Sequence, residues 1–187
     1  MSSTLTTLAL PTATWGIDPV HSTIGFAVKH LGVSTYRGQF PGAAGSIETA
    51  DGRITAVHGT VEVAGLTTAD ASLTGHLLTP DFFDAAAHPQ ASFASTRVEQ
   101  DADGGLRIEG DLTLRGVTNP VSLTGEIEGV GPDPYGNARI GVTVKGVIDR
   151  TDFGVSWNSV LANGALAVAE KVTVEVHAEA IAAGLEL

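Results

Sequence analysis

Stretch after stretch of this 187-residue chain sets large apolar residues on alternate positions with polar or charged ones between them. The clearest case is Lys171–Ala180. Val172, Val174, Val176, Ala178 and Ala180 fall one way; Lys171, Thr173, Glu175, His177 and Glu179 fall the other. Successive side chains of an extended strand point to opposite faces, so this pattern predicts a strand with one buried face. Ile24, Phe26, Val28 and His30 repeat it, as do Leu106, Ile108, Leu112 and Leu114. Val121, Leu123 and Ile127 follow the same rule, and so do Ile140, Val142, Val144 and Ile148. Val57, Val61 and Val63 share a face within a long strand expected over Arg53–Leu66. Gly110, Gly125 and Gly146 fall on the apolar faces, where a missing side chain relieves crowding or allows a bend. Asp51-Gly52, Asp103-Gly104 and Gly136-Asn137 supply turns between the stretches. Eight or nine strands at hairpin spacing predict an all-β antiparallel sandwich or barrel. A closed barrel of about eight strands has an interior that either fills with side chains or holds one small ligand.

The remaining segments are shorter. Trp15–Asp18 reads as a first strand stopped by Pro19, and Tyr36–Phe40 as a strand interrupted by Pro41-Gly42. From Thr67 or Thr68, as N-cap, the period changes to that of a helix carrying Leu73, His76 and Leu77 on one side. Pro80 ends it, and Asp81-Phe82-Phe83-Asp84 follows, an apolar pair suited to plugging the mouth that this helix would cap. Ala91–Ser95 is a short strand carrying Phe93, and Ala162–Ala169 a small apolar loop or single helical turn.

Composition narrows the function. Ten basic against twenty-one acidic residues give a formal charge of −11, which repels nucleic acid and anionic membranes. Cysteine is absent, so disulfides and thiol chemistry are excluded. No apolar run is long enough to span a bilayer as a helix. Met1–Thr14 lacks the basic and apolar regions of a secretory signal and is expected to be a disordered leader, with a cytoplasmic location.

Candidate chemistry is sparse. His21 and Ser22 are adjacent on a strand and face opposite ways, so they do not pair as base and nucleophile. The six histidines show no metal-binding spacing, and no metal or cofactor is expected. Asp149, Arg150 and Asp152 form either a substrate clamp or a salt-bridge network at a barrel corner, the latter favoured. His30, at the end of an apolar face, is either a hydrogen-bonded core residue or a group meeting a ligand.

Several pieces taken in order resemble the YceI-like family of polyisoprenoid-binding proteins. They are Trp15-x-Ile17-Asp18-x-x-His21-Ser22, Phe26-x-Val28-x-His30-x-Gly32, Gly38-x-Phe40 and His76-Leu77 with Asp81-Phe82-Phe83-Asp84. Pro89 with Phe93, Gly110-x-Leu112-Thr113-Leu114-x-Gly116 and Asp149-Arg150-x-Asp152-Phe153-Gly154 complete the set. The resemblance covers Trp15 to about Ala180, within a single domain placed at residues 15–182. It implies an extended lipocalin-like barrel with one short capping helix and an apolar channel for a prenyl chain or quinone tail, with no chemistry performed. The expected lining is Ile24, Phe26, Val28 and His30; Phe40; Leu73, Leu77, Phe82 and Phe83; Phe93, Leu112 and Leu114; Val142 and Val144; Phe153, Trp157 and Val174. The rival readings are an isomerase or hydrolase acting in the same cavity, and a barrel with a filled core. A homodimer through exposed edge strands is a further expectation.

Overall fold

Each alternating stretch forms a strand, and the strands close on themselves. The computed structural model describes residues 10–185. Along the chain lie β1 (Ala13–Ile17), β2 (Thr23–His30), β3 (Ser34–Phe40), β4 (Ala44–Ala50), β5 (Arg53–Glu62) and β6 (Thr67–Thr68). Then come helix α1 (Ala71–Leu77), β7 (Gln90–Gln100), β8 (Gly105–Leu114), β9 (Val117–Pro132), β10 (Ala138–Asp149) and β11 (Val168–Ala182). Short 3-10 turns occupy Val63–Gly65 and Arg150–Phe153.

All pairings are antiparallel, and the eleven segments make an eight-stranded closed barrel. The closure turns on β11. One edge pairs with β10 from Asp149↔Lys171 to Ala138↔Ala182. The other edge takes β2 first, from Val168↔His30 to His177↔Thr23, and then β1 at Ile17↔Ala180 and Gly16↔Ile181. β1 and β2 therefore serve as one barrel strand broken at residues 18–22. β3 and β4 are broken in the same way near Pro41-Gly42, with β4 on β1 and β3 on β2.

Two glycines explain how large rings fit inside so narrow a sheet. Gly38 is the pair partner of Phe26, and a Cβ there would sit 2.5 Å from the Phe26 ring. A Cβ on Gly110 would sit 2.4 Å from the Phe93 ring. Each ring occupies the space that a side chain on the adjacent strand would otherwise take.

The barrel is filled at one end only. Leu10, Trp15, Ile54, Leu106, Ile140 and Ala180 form a tight plug, with Trp15, Ile140 and Ala180 fully buried. The Trp15 indole N–H donates to Thr49 Oγ1 at 2.8 Å, so the large ring is buried without an orphaned donor. At the opposite end, α1 and the turns after it pack over the opening with Phe40, Val63, Leu66, Phe153 and Val155.

Several boundaries differ from the sequence reading. Asp70, rather than Thr67 or Thr68, caps α1, its carboxylate accepting from Leu73 N at 2.8 Å. The two threonines instead pair with Gly38 and Gln39 as β6. β5 stops at Glu62 because Val63–Gly65 tightens into a 3-10 turn. β7 runs to Gln100, past a register shift between Ser95 and Arg97. β1 begins two residues inside the expected leader, and Leu10 is buried in the plug. The rest of that leader, residues 1–9, lies outside the described residues.

Candidate functional site

Between the plug and the helical end lies a cavity of about 540 Å³. Its walls come from nearly every barrel strand: Val28 from β2, Val61 from β5, Leu114 from β8, Val144 from β10 and Val174 from β11, among others. Leu73 and Leu77 of α1 and Phe82 and Phe83 of the following turns close over it. All of the residues expected to line a channel border this cavity except Phe153. Phe153 is 1% exposed and belongs to the packing beneath the Arg150–Phe153 turn. The rule of alternation could not place it, because the residue lies outside any strand.

The lid is held by aromatic contacts. The Phe83 ring stands edge-on to Phe40 at 5.6 Å and lies 6.2 Å from Phe26. His76 of α1 is edge-on to both Phe82 (5.1 Å) and Trp157 (5.0 Å), and its Nε2 lies 3.0 Å from Asp81 Oδ2. These contacts join the lid to the β10–β11 connection. Arg115, in the β8–β9 turn, donates to the carbonyls of Pro80 and Gly154 and reinforces the same seam.

Polar groups on the wall are few. His30 borders the cavity from the exposed last position of β2, so it is a rim residue rather than a buried one. Tyr36 also borders it, with its hydroxyl buried and without a hydrogen-bond partner among the described residues. Among the described residues, Arg150 is the one formally charged residue on the lining, and it is 5% exposed. Its guanidinium donates to the carbonyls of Val155 (2.6 Å), Trp157 (3.0 Å), Ala169 (3.0 Å) and Val168 (3.3 Å). Desolvation lowers its pKa. This corrects the expected salt-bridge corner. Asp149 turns away to cap Thr151 and pairs with Lys171 at 3.2 Å, and these bonds hold its carboxyl at about 2, the Thr151 contacts contributing most. Neither Arg150 nor Tyr36 belonged to the expected lining. Arg150 stood out only as part of a charged cluster, and Tyr36 only as a strand residue.

His21 and Ser22 lie in the break before β2 rather than on the strand, so their opposite placement comes from the turn and not from strand alternation. Ser22 is buried and bonds with the Glu179 main chain, whereas His21 is exposed with its Nδ1 2.8 Å from Asp18 Oδ2. Asp18, His21 and Glu179 bring potential metal-ligand atoms within 4.8 Å of one another. The two carboxylates also meet Arg139, which is 2.9 Å from Asp18 and 3.1 Å from Asp133. Hydrogen bonds from His21 and then Arg139 hold the Asp18 carboxyl well below the usual range. The Asn137 main-chain N–H does the same for Asp133. This clasp ties the break between β1 and β2 to β10 and β11.

Fold and site together define a class: a closed β-calyx, plugged at one end and lidded at the other, enclosing an apolar ligand-sized space. The YceI-like domain model matches residues 15–180, and the chain belongs to that family. Protein YceI of Escherichia coli is 38% identical over 137 residues, covering 72% of this chain and 71% of that protein. A UPF0312 protein of Vibrio vulnificus is 33% identical over 163 residues, covering 86% and 82%. A Campylobacter jejuni YCEI protein superposes with a TM-score of 0.71 at 26% identity, covering 82% of this chain and 88% of that one. A polyisoprenoid binding domain from Saccharophagus degradans shares the fold, with a TM-score of 0.66 at 15% identity over 92% and 99% of the two chains.

Proposed function

We propose that this barrel binds and carries a long apolar lipid of isoprenoid type, such as a prenyl chain or quinone tail, and performs no reaction on it. The cavity carries this reading. It is walled almost wholly by aliphatic and aromatic side chains and sealed from below by the Trp15 plug. Burial alone supplies the affinity, each CH₂ removed from water contributing about 0.8 kcal/mol before ordering costs. The shared fold with a domain named for polyisoprenoid binding supports the ligand class. Among the described residues, the lining holds no carboxylate and no lysine, and the guanidinium of Arg150 is committed to main-chain carbonyls. The residues proposed to contact the tail are the expected ones that border the cavity, with Phe82, Phe83 and the Leu73–Leu77 face of α1 as its lid.

Native mass spectrometry of the purified protein, followed by organic extraction, tests this directly. A released prenyl lipid mass series is the expected result. Val28→Trp and Leu114→Trp each place an indole in the cavity and should abolish uptake of added prenyl lipid while leaving the circular dichroism spectrum unchanged. Undiminished uptake by both folded variants would refute the channel.

A further inference from the structure

The β10–β11 connection, whose Trp157 packs on the lid, continues into a finger beyond it that ligand enclosure does not use. Phe153–Ala169 is a run of seventeen residues without Asp, Glu, Lys, Arg or His, in a chain whose formal charge is −11. Part of it stands out as a small finger. Val160 bridges to Leu166, Leu161 N donates to Ala165 O at 2.8 Å, and Gly164 turns the tip at φ 82°. The base is pinned unusually well for an exposed loop. Asn158 makes two bonds with the Val168 main chain (2.6 and 3.0 Å), and buried Arg150 holds four carbonyls on the two sides of the base. The β2–β3 turn lies alongside, with Leu31 N donating to Ala167 O at 2.7 Å. That turn is also uncharged from Leu31 to Tyr36.

The two segments display apolar side chains to solvent. Val160 is 70% exposed and Val33 82%, with Leu31, Leu166 and Trp157 partly exposed beside them. They also border the cavity, through His30, Trp157 and Val168. An acidic chain that keeps charge out of these two segments, with Lys29 at the base of the β2–β3 turn as a flanking cation, fixes the backbone there and leaves its apolar side chains free, and so presents a surface suited to an apolar, uncharged interface. A ligand that is insoluble in water must pass such an interface on its way into the cavity.

We propose that the Trp157–Ala167 finger and the Leu31–Val33 turn dock this protein onto the surface of a lipid bilayer with uncharged (zwitterionic) headgroups, so that the cavity mouth opens toward the membrane. This rests on the lipid-carriage reading. The exposed Val and Leu side chains enter the headgroup boundary, and Trp157 sits at the level where indoles favour the interface. Because the charge of the whole chain opposes anionic surfaces, vesicles of phosphatidylcholine alone should bind better than vesicles mixed with phosphatidylglycerol, most clearly at low salt.

The test compares wild type with the variant carrying Val160→Asp and Leu166→Asp, and with Val33→Asp, all at solvent-exposed positions. Flotation with phosphatidylcholine vesicles should fall at least tenfold in the double variant, a change of about 1.4 kcal/mol. The rate of loading of a fluorescent prenyl lipid from those vesicles should fall with it. Equilibrium uptake of the same lipid delivered from cyclodextrin should not change. Wild-type flotation and loading rates in both variants would overturn the proposal. So would a wild-type dimer, seen by sedimentation velocity, that the variants dissolve without altering flotation. If wild type takes no prenyl lipid from cyclodextrin, the carriage reading falls, whereas flotation still decides the docking surface by itself.

Discussion

Gly125 and Gly129 lie four residues apart on β9, both opposite β10, and intrinsic preference treats them alike. Replacing a strand glycine by alanine, where the backbone tolerates it, stabilises by about 0.4–1 kcal/mol through the unfolded chain. The structure separates them. A Cβ on Gly129 meets nothing within 4 Å. A Cβ on Gly125 would stand 1.9 Å from the main-chain oxygen of Thr143 and 2.7 Å from Val144 Cα. Neither is a flexible side-chain end, so the β9–β10 ladder itself must part, at the place where Gly125 pairs with Val144. That puts Gly125→Ala at about 3 kcal/mol destabilising, the upper end of ordinary overpacking. Gly129→Ala should be neutral to slightly stabilising. For a domain of this size the two variants should differ by roughly 10 °C in midpoint, at about 2–4 °C per kcal/mol. Differential scanning calorimetry reads this, and urea titration checks that the slope m stays constant. Equal midpoints for the two variants would refute the argument that backbone contact, rather than propensity, fixes glycine in this sheet.

Three further outcomes follow from single contacts. Asp70→Ala removes the α1 cap and should destabilise by about 1 kcal/mol; faster release of bound lipid, measured by stopped-flow exchange, would accompany a looser lid. Trp15→Phe leaves Thr49 without its indole donor and should cost about 1–3 kcal/mol by chemical denaturation, with no change in lipid uptake, because Trp15 plugs the closed end without lining the cavity. Asp149, Asp18 and Asp133 all have carboxyl pKa values lowered by folding, Asp149 to about 2. Each therefore contributes stability that is present above the unfolded value of 3.8 and is lost as pH falls through the folded one. The midpoint should hold from pH 7 to about 5 and decline from about pH 4 toward 2; a protein equally stable at pH 7 and pH 2 would contradict the clasp.

The barrel was legible because one buried face and one wet face impose a period of two that survives in the residue order. The long strands β5, β8, β9, β10 and β11 declared themselves this way, whereas β7 showed only its Ala91–Ser95 part, and an inward side chain reads the same whether it meets a neighbour or a ligand. What alternation does not carry is context outside strands. Phe153 looked like lining because it is aromatic and stands beside a charged cluster; it is packing, because the 3-10 turn at Arg150–Phe153 points it under the chain. Arg150 looked like one end of an ion pair, yet its partners are main-chain carbonyls, which no sequence displays. The breaks in β1–β2 and β3–β4 carried proline signals, but only the register on β11 shows that the halves make single barrel strands.

The strand β11, which borders β10, β2 and β1, also sets a clock for the chain. Ile17 meets Ala180 across the seam, so the first barrel strand waits for a partner made some 160 residues later. At about 5–20 residues per second, a ribosome takes roughly 8–30 s to cover that distance. Throughout that time the strands already made expose a free edge, open to pairing with another nascent copy. For this fold the vulnerable moment in the cell is therefore the wait before closure, and a pause in translation late in the message lengthens it.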